Sequence, residues 1–403
     1  MSEPERQPIQ APESYIPPDI PKIMRLAEQA QRETAYPGEF ILPDRSTPPP
    51  PEAEYKNCPS YVSFANEFAY FMDYSGRGYG FIERNKGWRC DINYTLADVI
   101  TGYAARPCCL AVTPEGLDRL YRAAGFPARR TYCADPARAG HMDEAEMKEA
   151  IKYTLCTLGQ PVIMSFVGKC FGVIVIGYKE HGDVLVTFSY PPYFLAPDNI
   201  QPQIEETRDW YQEKTTLTIV GARQSPLPVK ELYRLGLRQI RAYLRAGIHG
   251  EDRHYYDEWG RFLRLNSLEQ MLAEAERLGT MPGAQIFYEE STEKSIDVLA
   301  DPTFCELAER RYYIMHFFYQ AAEHFPEEKA ALNALGDQFW FTSEIMGNQK
   351  KGYVSKVGHD PVNMELFAKK SVRAHMARCV RKFRRADAKG LAMTEKLLSR
   401  LGL

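Results

Sequence analysis

Between Tyr61 and Tyr74 the apolar residues Phe64, Ala65, Phe68, Ala69 and Met72 recur at helical spacing, and Gly76, Gly78 and Gly80 close the run. The pattern predicts a buried helix. Thr113 stands as N-cap before Pro114, and the stripe Leu117, Leu120, Tyr121 and Ala124 then stops at Gly125. Asp143 opens a further helix along Met147, Ile151, Leu155 and Leu158, with Gly159 ending it. The period then changes. Pro161-Val162-Ile163-Met164 and Phe171 to Tyr178 are β-rich runs without helical spacing, and Val184 to Phe188 returns after the polar turn Lys179 to Asp183 as the partner of an antiparallel hairpin. Thr216 to Val220 adds a strand. Beyond Pro226-Leu227-Pro228 the strand signal vanishes: Leu232, Leu235, Ile240 and Leu244, then Leu268, Met271, Leu272 and Ala275, then Ala308 to Phe318 all read as helix. Helices followed by adjacent antiparallel strands make the first part α+β, and the second part is all-α.

A chain of 403 residues exceeds what one core comfortably serves, since single cores stop growing near roughly 250–300 residues. Three segments are expected: a Pro-rich arm at 1–57, an α+β domain at 58–225 and a helical domain at 226–403. The arm carries Pro48 to Pro51, which favours an extended conformation, and one short helix with Asp19 as N-cap and Ile23, Met24 and Ala27 on one face. Hydrophobic residues at 44% and charged residues at 26% match a globular chain, and the net charge of -3 supplies no global attraction to nucleic acid or anionic lipid. Nine cysteines without a C-x-x-C pair, and no basic start followed by an apolar run, predict reduced thiols in the cytoplasm. The most apolar stretch, Pro161 to Tyr178, is interrupted by Gly168, Lys169, Gly172 and Gly177, so no membrane partner is expected.

Candidate chemistry is sparse. Trp88, Cys90 and Asp91 follow a Gly-rich stretch and suit either a pocket rim, with a ligand amine facing Asp91, or a loop tucked onto the core. His249 and His254 flank Glu251 and Asp252 without a third fixed ligand, so neither a metal nor a cofactor is expected. His316 and His324 read as helix-surface residues. From Lys369 to Arg400 the chain is rich in Lys and Arg, which fits an acidic partner, while Val372, Met376, Val380 and Phe383 supply a stripe to dock the same helix. Tyr256 and Trp259 share one helix face and are expected to help close a binding pocket.

The helix-then-hairpin order resembles the papain-like fold of bacterial double-glycine peptidases. On their register, counting back from Gly76 places Ser63 where the nucleophilic Cys belongs, counting back from Gly177 places Phe171 at the base, and Ser189-Tyr190-Pro191 replaces the orienting Asp-Pro. All three roles of a catalytic constellation are vacant there. Cys58, just before the same helix, is the remaining candidate nucleophile on that register. Further features are Gly80-Phe81 leading to Trp88, Asp91-Ile92-Asn93, the helix before Gly125, Phe171 to Tyr178, Tyr256-x-x-Trp259, and Ala308 to Ala322 with Arg310 and Arg311. On these the chain from about residue 58 onward is similar to uncharacterised bacterial proteins akin to butirosin-biosynthesis protein H. That resemblance implies a cysteine-peptidase-like domain, acyl transfer from a carrier protein to an aminosugar as the class of chemistry, and an acyl-carrier protein among the partners. The expected function is a peptidase-fold protein without an intact Cys-His-Asp triad that binds a small molecule or peptide in natural-product biosynthesis. Its expected ligand contacts are Trp88, Asp91, Tyr178, Tyr256 and Trp259. The alternatives are an acyltransferase or amide-processing enzyme using Cys58 or Cys90, with Asp91 and Ser63 as further catalytic candidates, and a protein-interaction scaffold.

Overall fold

A computed structural model describes residues 24, 25, 27, 29, 36–43, 68, 71, 72, 89–102, 104, 114–127, 129–138, 140–165, 173–189, 203–221, 224–249, 272, 273, 275–277, 303–348, 350–352, 355, 366 and 369–403. The chain divides into two compact units: residues 1–81 with 121–227, and 82–120 with 228–403. The division at 227/228 lies close to the boundary expected between the 58–225 and 226–403 segments, while residues 82–120, expected with the α+β part, cluster with the C-terminal helices.

The first unit is built on a seven-stranded antiparallel sheet. Its strands are β1 (Phe40–Ile41), β2 (Arg129–Cys133), β3 (Val162–Ser165), β4 (Val173–Lys179), β5 (Val184–Ser189), β6 (Gln203–Thr207) and β7 (Thr216–Val220), in the order β2-β7-β3-β4-β5-β6 with β1 pairing β4. The predicted hairpin is present as β4 and β5, with Ile174 opposite Phe188 and Lys179 opposite Val184. Val173 to Ile176 and Val184 to Val186 are all buried, which is why these runs lack a polar alternation. Strand β4 outreaches β3: β3 pairs residues 173–175, and β1 takes the same edge further along, with Phe40 opposite Tyr178 and Ile41 opposite Gly177. Gly177 is required by that approach, because a Cβ there would lie 2.5 Å from the Phe40 carbonyl oxygen and 2.9 Å from Ile41 Cα.

Three strands were not expected. β2 reads Arg-Arg-Thr-Tyr-Cys and β6 reads Gln-Ile-Glu-Glu-Thr, so both are masked by polar residues. They sit at the two ends of the strand order, where charged side chains discourage pairing with another chain; Lys179 and Glu206 form a 2.6 Å ion pair at the β6 end.

Helices α1 (Arg89–Thr101), α2 (Pro114–Ala123), α3 (Glu144–Lys152), α4 (Val229–His249), α5 (Thr303–His324), α6 (Lys329–Gly347) and α7 (Lys370–Leu401) complete the described regular structure. In the first unit, α3 starts with a full capping box: the Glu146 N–H donates to the Asp143 carboxylate at 2.8 Å, and the Asp143 N–H donates to the Glu146 carboxylate at 2.9 Å. It runs on into a π-helical turn, Tyr153–Thr157, before the expected stop at Gly159. The end of α2 packs with residues Phe68 and Phe71, both helical and buried as their spacing predicts. Tyr121 meets Phe68 edge-on at 5.2 Å, and Phe71 meets Phe126 at 5.1 Å.

In the second unit, α5 packs on α6 and α1, and α7 packs on α6 and α4. The docked stripe of α7 is as predicted: Val372, Met376, Val380 and Phe383 are all buried. The segment containing Cys90 and Asp91 corrects the loop reading, because it is the first turn of α1. From Arg89 to Thr101 there is no Gly or Pro to break a helix, and Leu96, Ala97, Val99 and Ile100 are each buried. Gly102 ends it at φ +85°, with its Cα so close to the Tyr243 ring that a Cβ would fall 1.9 Å from Cε2. Arg119 donates to the Ile100 carbonyl at 3.0 Å, satisfying one of the last acceptors of α1.

Candidate functional site

Helix α1 carries Asp91, Thr95 and Asp98 at i, i+4 and i+7, positions that share one face of a helix. Thr95 is fully buried and Asp98 is 1% exposed, so this polar row enters the core of the helical unit. Thr101, the next polar residue, is satisfied within its own helix by the Ala97 carbonyl at 2.9 Å. Asp98 has no such outlet. Among the described residues its Oδ1 makes no hydrogen bond. Burial pushes the Asp98 carboxyl well above the ordinary carboxylate range; the nearby Glu309 carboxylate adds to this and the Arg310 guanidinium opposes it. Burial therefore favours the uncharged form of the group, beside one negative and one positive neighbour.

Helix α5 supplies those neighbours. Tyr313 donates to Glu309 Oε1 at 2.6 Å, which fixes that carboxylate at the side of the buried acid, and Glu309 is itself only half-buried. Arg310 and Arg311 are each 1% exposed. Arg311 is fully engaged elsewhere: it clasps Asp387 of α7 through two nitrogens at 2.9 and 2.6 Å and donates to the Ala104 carbonyl at 2.6 Å. Both oxygens of Asp387 are thus held by Arg311, whereas Asp98 Oδ1 accepts no hydrogen bond among the described residues. His316, expected on the surface, is half-buried, and burial lowers its pKa; His324, also expected outside, is half-buried and stacks on Tyr233 at 4.6 Å.

In the first unit, Tyr178 is fully buried. Its hydroxyl donates to the Pro37 carbonyl at 2.9 Å and lies 3.5 Å from Cys156 Sγ, so it ties the segment before β1 to the sheet. Burial pushes the Cys156 thiol up. The same holds for Cys379 of α7, whose Sγ lies 3.5 Å from His375 Nε2, the nitrogen that also faces the Gly352 carbonyl at 3.0 Å. A thiol whose pKa rises loses the thiolate needed for attack. Among the described residues Cys133, Cys156 and Cys379 form no disulfide.

Of the residues expected at the site, Cys90 and Asp91 lie in the first turn of α1, Asp91 two turns before Asp98. Cys58, Ser63, Trp88, Phe171, Tyr256 and Trp259 lie outside the described residues, as does His254. Asp98, Glu309 and Cys156 were not singled out. The sequence signal for Asp98 is a lone carboxylate inside Thr-Leu-Ala-Asp-Val-Ile, four residues of which are apolar. Among the described residues no group of three or more His, Cys, Asp or Glu could hold a metal ion, and no helix is long and apolar enough to cross a membrane.

No protein-family model, no curated protein and no solved structure matches the chain. The fold and the geometry define it as a mixed α+β protein with a seven-stranded antiparallel sheet and a helical unit whose core holds an Asp98 carboxyl with one oxygen lacking a hydrogen bond among the described residues.

Proposed function

We propose that this chain is a binding protein for a small, amine-bearing molecule, and that the binding site is the Asp98 carboxyl with Glu309 and Arg310 beside it. The observation that carries this reading is the buried Oδ1 of Asp98 without a hydrogen bond. A buried polar atom left unsatisfied costs roughly 1–3 kcal/mol, a cost that a ligand group can remove. Glu309 and Arg310 offset one another around Asp98, so ionising Asp98 needs one more positive charge. An ammonium group supplies that charge and the missing donor together. Helical units commonly hold their ligands among facing helices, and the half-buried Glu309 gives the acid a neighbour toward solvent. The α+β unit is the peptidase-like scaffold of this reading, with Ser63 and Phe171 in the vacant catalytic positions.

Thermal shift against ethanolamine, glucosamine and spermidine tests the proposal. At least one should raise the melting midpoint of the native chain, and Asp98→Asn should abolish the rise. No shift with any of the three, or an equal shift in the variant, overturns it.

A second reading has its own observation. Cys90 lies in the first turn of α1, and a helix N-terminus lowers a thiol pKa, which favours an enzyme of the acyltransferase type. Iodoacetamide mapping separates the two: Cys90 alkylated far ahead of Cys156 and Cys379 at neutral pH favours the enzyme, and uniformly slow labelling removes it.

A further inference from the structure

Helix α7 docks through one face and leaves another in solvent. Arg378, Lys382, Arg385, Lys389 and Lys396 are all exposed. Their spacings of four, three, four and seven residues keep them on one stripe, about 27 Å long at the helical rise of ~1.5 Å per residue. Between Lys369 and Lys396 the helix contains two carboxylates: Asp387, which Arg311 holds in the interior, and Glu395, which pairs with Arg245 of α4. The stripe is therefore not neutralised by its own helix. Basic side chains beside it are different: Arg381 pairs with Glu276, and Arg400 with Glu328.

Aromatic surface adjoins the stripe. On α6, Trp340 is 44% exposed and Phe341 48% exposed, and the Lys382 ammonium sits 5.2 Å from the Phe341 ring centroid. Asp337, exposed on the same helix, accepts from the Tyr319 hydroxyl at 2.7 Å. Trp340 leans instead on Tyr312 of α5 at 6.1 Å, so the exposed ring beside the row of cations is Phe341, an aromatic contact with a polar edge.

We propose that this face docks an acidic amphipathic helix of a partner protein. Carboxylates at i, i+4 and i+7 of such a helix repeat with the same period as the α7 stripe, and its apolar edge covers the exposed Phe341 ring. The chain's net charge of -3 gives no long-range field to gather a polyanion, so a nucleic acid fits this face less well than a short acidic helix.

Fluorescence anisotropy of the full chain with a labelled helical peptide of about 20 residues, Glu along one face and Leu along the next, tests the assignment. Binding should weaken about tenfold or more between low and high salt. The pair Arg385→Glu with Lys389→Glu, and separately Phe341→Ala, should each weaken it by about tenfold or more. If the double reversal lowers the melting midpoint, Lys389→Glu alone carries the test. Equal binding of a peptide with the same composition in scrambled order, tighter binding of a single-stranded oligonucleotide or of phosphatidylserine vesicles, or unchanged affinity in the variants overturns the proposal.

Discussion

Burial disfavours the charged form of a carboxyl group and raises its pKa above that of exposed aspartates, and Asp98, with Oδ1 lacking a hydrogen bond among the described residues, is such a group. Its folded pKa is raised above the ordinary 3.8, so above that pH the folded chain holds a proton that the unfolded chain has released. Stability from this group is full below about pH 4 and falls as pH rises toward the folded value, at roughly 1.4 kcal/mol per pH unit. Asp98→Asn has nearly the same shape and does not titrate. The variant should melt with the native chain near pH 4 and above it at pH 7. A gap that stays constant between the two pH values would mean that Asp98 is already ionised in the fold. Little of this residue was legible beforehand: a single Asp in an apolar run tells nothing of its partners until the run is known to be a buried helix.

At the scale of elements, legibility followed the side chains. The β4–β5 hairpin, β7 and the docked stripe of α7 are where their spacing puts them, because buried apolar positions are what spacing reports. β2 and β6 are polar edge elements, and β1 has two residues, so neither composition nor period marks them. The β1–β4 contact is nevertheless specific, since it depends on the missing side chain of Gly177. Gly177→Ala should push β1 off β4 and cost roughly 1–3 kcal/mol in urea unfolding, the range for overpacking. The accompanying readout is hydrogen exchange at the Leu42 amide, which donates to the Ile176 carbonyl at 2.8 Å. A Leu42 amide that stays protected in the variant contradicts the account.

Across the whole molecule the units interleave along the chain, which no local pattern reveals. Helix α1 lies in sequence between β1 and β2 of the sheet, yet it belongs with α4 and α5, where Val99 lies close against Gly236 beside Phe317. Residues 228–403 alone should therefore unfold in a broad, weak transition, because the faces that α1 covers are bare. Joining 82–120 to them through a flexible linker should restore a sharp one. Equal sharpness without 82–120 would contradict the assignment of α1 to the helical unit.

The claim that this unit binds an amine at Asp98 has a direct signature in proton release. An ammonium that pairs with the neutral Asp98 acid must drive its proton into the buffer. Titration calorimetry in buffers of different ionisation enthalpy counts that proton. At pH 7, the amine that raises the melting midpoint should release about one proton per site on binding the native chain and none on exposure to Asp98→Asn. Binding without proton release, or the same release from the variant, would place the amine elsewhere.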